Sequence, residues 1–83
     1  MHKVFVYALS TCPYCRAARK YLEDNDVEYE VVEVDKLQGD EYKATVDEVR
    51  SISGGTAFPV IVIDDESVIV GFNKKRIKEE LGL

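Results

Sequence analysis

Lys3 to Ala8 sets Val4, Phe5, Val6 and Tyr7 side by side, a run of β-branched and aromatic residues with no polar residue among them. A strand with one wet face alternates apolar and polar residues. A continuous run instead predicts burial on both faces, the setting of a central strand in a sheet covered by helices. With 83 residues the chain has room for one such sheet and therefore for one domain, residues 1–83. Its 46% apolar content predicts a small but genuine core rather than a disordered chain.

The rest of the chain supplies the other layers. Thr11 or Cys12 is placed as a helix N-cap, with Pro13 at the first helical position, where its missing N–H costs nothing. Cys15, Ala18, Tyr21 and Leu22 then recur at helical steps beneath a face of Arg16, Arg19, Lys20 and Glu23, and Asp24-Asn25-Asp26 closes the helix. Glu28 to Val34 alternates and then becomes Val-rich, as a strand joined to the first by a helical crossover would. Tyr42, Val46, Val49 and Ile52 mark a second amphipathic helix, stopped by Ser53-Gly54-Gly55. Pro59 to Ile63 reads as a strand opening on a proline, Asp64 to Ser67 as a turn, and Val68 to Val70 as the returning strand of a hairpin. After Gly71-Phe72, Asn73 caps a last helix in which Ile77 and Leu81 share a face. The predicted order is β-α-β-α-β-β-α, an α/β arrangement with a four-stranded mixed sheet and three flanking helices.

Both cysteines of the chain fall at the junction of the first strand and first helix, in Cys12-Pro13-Tyr14-Cys15. A thiol in the first turn of a helix meets unpaired N–H groups and the positive end of the macrodipole, and both favour the thiolate. A second thiol one turn on shares its helix face, within reach of a mixed disulfide formed by the first. The loop between them is too short to staple a fold, so a structural role suits the pair poorly. Zinc takes four ligands, and His2 near the chain end is the sole histidine, so a zinc site within one chain is not expected. Redox chemistry is the leading expectation.

Cys12-Pro13-Tyr14-Cys15 after the first strand and Thr56-Ala57-Phe58-Pro59 before the third, in this element order, resemble the glutaredoxin branch of the thioredoxin-fold proteins over essentially the whole chain. The resemblance implies a disulfide oxidoreductase in which Cys12 attacks and Cys15 resolves, cycling through a Cys12–Cys15 disulfide with no tightly bound cofactor and no metal. It implies a cis Pro59 beside the cysteines, with Phe58 offering backbone groups to an extended substrate. Tyr14, Gly71 and Phe72 join these as substrate-facing residues, and Pro13 and Arg16 tune the thiolate.

Glutathione-using members carry a lysine shortly before the cysteines and a Gly-Gly-x-Asp-like turn at the last helix. Here those positions hold Leu9 or Ser10 and Gly71-Phe72-Asn73. Gly71-Phe72 followed by Arg76-Ile77 instead resembles the NrdH-redoxins, which implies reduction by a thioredoxin-reductase-type flavoenzyme and protein disulfide substrates such as ribonucleotide reductase. Reduction by glutathione or another low-molecular-weight thiol is the alternative. An iron–sulfur carrier is a third, opposed by Pro13 and Cys15, which such relatives usually lack.

The formal charge of −5 and the lack of a basic stripe argue against nucleic acid as a partner. Lys74, Lys75 and Arg76 crowd the start of the last helix, where the macrodipole disfavours positive charge, so they are expected either to meet a partner or to be solvated. Tyr7, Tyr21 and Tyr42 are expected in the core, and Phe72 either in the core or at the rim. The opening apolar run, Val4 to Leu9, is too short for a signal-peptide core or a membrane span. The expectation is a cytoplasmic monomer without membrane association.

Overall fold

A computed structural model describes residues 2–83. Its elements are β1 (Val4–Ala8), α1 (Pro13–Asp24), β2 (Glu30–Glu33), a 3-10 turn at Val34–Lys36, α2 (Gly39–Ser53), β3 (Val60–Ile63), β4 (Ser67–Val70) and α3 (Lys74–Leu81). The sheet runs β2-β1-β3-β4, so the doubly apolar β1 lies between two neighbours, as its composition requires. β2 pairs with β1 in parallel through the α1 crossover, whereas β3 and β4 are antiparallel additions. This is the mixed sheet with three helices of a thioredoxin-like fold.

Side-chain alternation divides the core in two. Val4, Val6 and Ala8 of β1, with Ile61, Ile63 and Ile69, face α1 and α3, where they meet Cys15, Ala18, Leu22, Ile77 and Leu81. Tyr7 and Val60 point to the other face, against Val34 and Val49. Phe58 packs on both clusters, at the end of the sheet where the two layers meet.

Three expectations change. β2 is shorter than 28–34: its pairing with β1 starts at Glu30, and Val34 turns into the 3-10 segment to reach the α2 layer. Tyr42 is not a core residue; it is 46% exposed, Ile52 is 38% exposed, and of α2 only Val49 is fully buried. β3 begins at Val60 rather than Pro59, which sits just outside the ladder. Among the described residues, no helix is long and apolar enough to cross a membrane.

Candidate active site

Cys12 is the N-cap of α1 and Pro13 its first residue. A helix start leaves backbone N–H groups without partners, and the Cys12 sulfur accepts one of them, from Cys15 at 3.4 Å. Burial acts to raise the Cys12 thiol, but the Cys15 thiol and the N–H groups of Cys15 and Tyr14 outweigh it and hold Cys12 below its ordinary value. Cys15 behaves in the opposite way. It is 1% exposed, and burial, followed by its hydrogen bond to Cys12, pushes it up to about 11, despite the Leu9 N–H and the Arg19 charge, which favour its thiolate. One sulfur is half-buried and primed, and the other is sealed and protonated.

The sheet register brings the remaining candidates to the same end. Tyr7 pairs with Val60, and Val60 with Val70, so one step further places Pro59 beside Ala8 and Gly71 beside Pro59. The Gly71 N–H donates to the Pro59 carbonyl at 2.7 Å, which fixes the second of these contacts. The Phe58–Pro59 bond is cis, and Phe58 lies outside the strand pairing. Gly71 has φ of 80°, a left-handed conformation in which a side chain would be strained.

Tyr14 is 68% exposed, an aromatic ring presented to solvent next to the thiols. Phe72 is half-buried against the α1–α3 cluster, its ring 6.1 Å from that of Tyr21. Of the two roles anticipated for it, the structure shows packing on the core. Arg16 is exposed and directs its guanidinium to the Ser10 carbonyl, at 3.5 Å.

Two of the basic residues of α3 have partners within the chain. The Lys74 ammonium stands 5.3 Å from the centre of the Tyr21 ring, and Arg76 pairs with Glu80 at 3.8 Å. The Asn73 side chain caps the helix by accepting the Arg76 N–H at 3.1 Å. Among the described residues, no group of three or more His, Cys, Asp or Glu side chains is arranged to hold a metal ion.

Two contributors were missed by sequence reasoning. Arg19, assigned to the solvated face of α1, is half-buried, donates to the Tyr29 hydroxyl at 3.4 Å and adds positive potential at Cys15. Asp35, in the 3-10 turn after β2, accepts the Ser10 N–H at 2.9 Å and the Ser10 hydroxyl, and so anchors the loop before Cys12. Spacing along the chain carries no sign of either, since both contacts arise from the crossover that brings β2 beside β1.

With this geometry established, the comparisons with known proteins converge. The family model described as Glutaredoxin matches residues 4–68. An uncharacterized glutaredoxin-like 8.6 kDa protein in a rubredoxin operon of Clostridium pasteurianum is 38% identical over 72 residues, which span 87% of this chain and 88% of that protein. The crystal structure of the glutaredoxin from Methanosarcina mazei Go1 superimposes with a TM-score of 0.88 at 41% identity, covering 100% of this chain and 87% of that one. The NrdH-redoxin of Escherichia coli, described as having a thioredoxin-like activity profile, aligns over 93% of this chain and 92% of its own, with a TM-score of 0.77. Its identity is 19%, so the likeness is one of fold.

Proposed function

The chain belongs to the glutaredoxin family of thiol–disulfide oxidoreductases, and from that premise we propose that it reduces protein disulfides through Cys12 and Cys15, with a flavoenzyme reductase restoring the dithiol. The opposed ionisation of the two thiols carries this reading, with Cys12 lowered at a helix N-cap and Cys15 raised by burial. In the first step the Cys12 thiolate attacks one sulfur of a substrate disulfide. A Cys12–substrate S–S bond forms, the original S–S bond breaks, and its electron pair leaves on the other substrate sulfur, which takes up a proton. In the second step Cys15, as thiolate, attacks the Cys12 sulfur and displaces the remaining substrate thiolate. Two electrons have then passed to substrate, and the protein holds a Cys12–Cys15 disulfide.

The substrate segment is read as lying across Phe58 and Pro59, with Tyr14, Gly71 and Phe72 at its margins. The exposure of Tyr14 and the position of Phe58 outside the ladder support this. An extended chain there would meet backbone groups in the manner of strand addition. Pro13 contributes by starting the helix whose N–H groups face Cys12.

The reading of the electron donor rests on what surrounds the thiols. Ser10, near the position where glutathione users carry lysine, is engaged by Asp35. The turn at α3 reads Gly71-Phe72-Asn73, and the Asn73 side chain is committed to its own helix cap. These features favour a thioredoxin-reductase-type enzyme over glutathione. A cytoplasmic setting, where thiols are kept reduced, fits either donor.

The test is to oxidise the protein and offer it NADPH with thioredoxin reductase or, separately, NADPH with glutathione and glutathione reductase, then count alkylatable thiols. Two thiols should return with the first system and not with the second; the reverse result rejects the donor assignment. Cys12→Ser should abolish disulfide reduction, and Cys15→Ser should trap a mixed disulfide. Full dithiol turnover in both variants would overturn the division of labour.

A further inference from the structure

The turn between β1 and α1 is held from three sides. Its own backbone closes it, with the Cys12 N–H donating to the Leu9 carbonyl at 3.3 Å. Asp35, reaching across from the 3-10 turn that follows β2, accepts both the N–H of Ser10, at 2.9 Å, and its hydroxyl. Arg16 approaches the Ser10 carbonyl from α1. Ser10 is thereby fixed at its N–H, its hydroxyl and its carbonyl. The residue before it aims its own N–H at the resolving sulfur, with Leu9 N 3.5 Å from Cys15 Sγ.

That N–H matters most in the second half of the reaction. Cys15 is buried in the apolar cluster that also holds Ala18, Leu22 and Ile77, side chains that offer nothing to a negative sulfur. Of the groups acting on Cys15, only the Leu9 N–H and the Arg19 charge favour its thiolate, against burial and Cys12. Once Cys12 is bonded to substrate it carries no charge, and the Leu9 dipole is left as the direct hydrogen-bond donor to the sulfur that must ionise. A donor contributes there only while its direction is fixed, and a turn free to pivot would lose it.

We propose that Asp35 is a positioning residue for the resolving step: by clamping Ser10 it holds the Leu9 N–H on Cys15 Sγ, and so assists attack of Cys15 on the Cys12–substrate disulfide. In that attack Cys15 gives up its proton to solvent, the Cys15–Cys12 S–S bond forms, the Cys12–substrate S–S bond breaks, and the electron pair departs on the substrate sulfur, which takes up a proton. Asp35 touches neither sulfur and exchanges no proton with them. The hydrogen bonds from Ser10 hold the Asp35 carboxyl below the ordinary carboxylate range, so the clamp stays in its accepting form through neutral pH. The proposal rests on the assignment of Cys15 as resolving thiol.

The test compares Asp35→Ala with Asp35→Asn in stopped-flow reduction of a peptide disulfide, with mixed disulfide followed by acid quench and mass spectrometry. Alanine removes both acceptors. Asparagine keeps an oxygen for the Ser10 N–H and an amide that can donate to the hydroxyl, and it removes the charge. Asp35→Ala should leave formation of the mixed disulfide near the wild-type rate and slow its resolution about tenfold, the scale of one or two lost hydrogen bonds. Asp35→Asn should recover most of that loss. In a Cys12→Ser background, ultraviolet titration of the Cys15 thiolate should move upward in pH with Asp35→Ala and stay in place with Asp35→Asn.

Resolution at the wild-type rate in Asp35→Ala overturns the proposal. So does equal slowing of both steps, which marks general disruption of the turn, or an Asp35→Asn variant as slow as Asp35→Ala, which makes the charge the active property. Failure of the underlying assignment looks different, because the wild-type protein would then itself accumulate mixed disulfide.

Discussion

The two faces of the sheet are covered by helices of very different economy. On the cysteine face, the eight-residue α3 buries Ile77 and Leu81, and α1 buries Cys15, Ala18 and Leu22. On the opposite face the longer α2, fifteen residues, fully buries only Val49 and leaves Tyr42 and Ile52 exposed. Beside it lies an open recess of about 480 Å³ lined by Phe5, Tyr7, Val32, Val62 and Ile52. Helix length is thus a poor guide to how much a layer contributes. What counts is how many of its side chains are enclosed, and the tightly packed layer is the one that carries Cys15.

That contrast can be broken experimentally at three places. The largest effect is expected from Ile77→Ala, which empties a fully buried site on the cysteine face. A loss of about 2–5 kcal/mol is expected from chemical denaturation, the usual cost of truncating a buried aliphatic side chain. Because α3 flanks the turn that bonds to Pro59, Cys15 should also become faster to alkylate in the folded protein.

Val49→Ala probes the other face. It removes two buried carbons and should cost about 1.5 kcal/mol, measured in the same way, with Cys12 and Cys15 reactivity unchanged. A cost equal to that of Ile77→Ala would erase the distinction between the layers.

The smallest effect is expected at Tyr7, whose hydroxyl donates to Glu48 at 2.9 Å across the recess. Tyr7→Phe should cost about 1 kcal/mol at neutral pH, the net worth of one hydrogen bond. Its sharper signature is in alkali. Burial first, then the hydrogen bond to Glu48 and its negative charge, push the folded Tyr7 phenol up to about 12 from an ordinary value near 10. The stabilisation from the protonated phenol is complete below pH 10 and disappears as pH rises towards 12, because the unfolded chain gives up its proton first. Denaturation midpoints of the parent should fall across that window more steeply than those of Tyr7→Phe.

The elements of this fold were legible where local chemistry dictates them. The continuous run of β1, Pro13 behind its capping cysteine, and Asn73 at the head of α3 each state a backbone requirement that the structure meets. The cysteine pair was legible for the same reason, since helix start and thiol spacing are local. Tyr42 was misread because a helical stripe gives the apolar side of a helix and not how much of that side is covered. Asp35 and Arg19 were invisible because they act by proximity created between separate elements. Asp35 is 25 positions from Ser10 and reaches it through a parallel pairing that no single segment announces.

The strand order has a consequence for how the protein is made. β1 is synthesised early, yet one of its two neighbours, β3, arrives only with Val60–Ile63, and Tyr21 meets Phe72 later still. The cysteines are therefore synthesised before the surfaces that complete their enclosure. Throughout that interval Cys15 lacks the shelter of Ile61 and Ile77 and is as open to oxidants as its neighbour. Docking of β3 and α3 completes the burial that raises Cys15, whereas the N–H groups that lower Cys12 come from the first turn of α1 itself, so it is the resolving thiol whose protection arrives late.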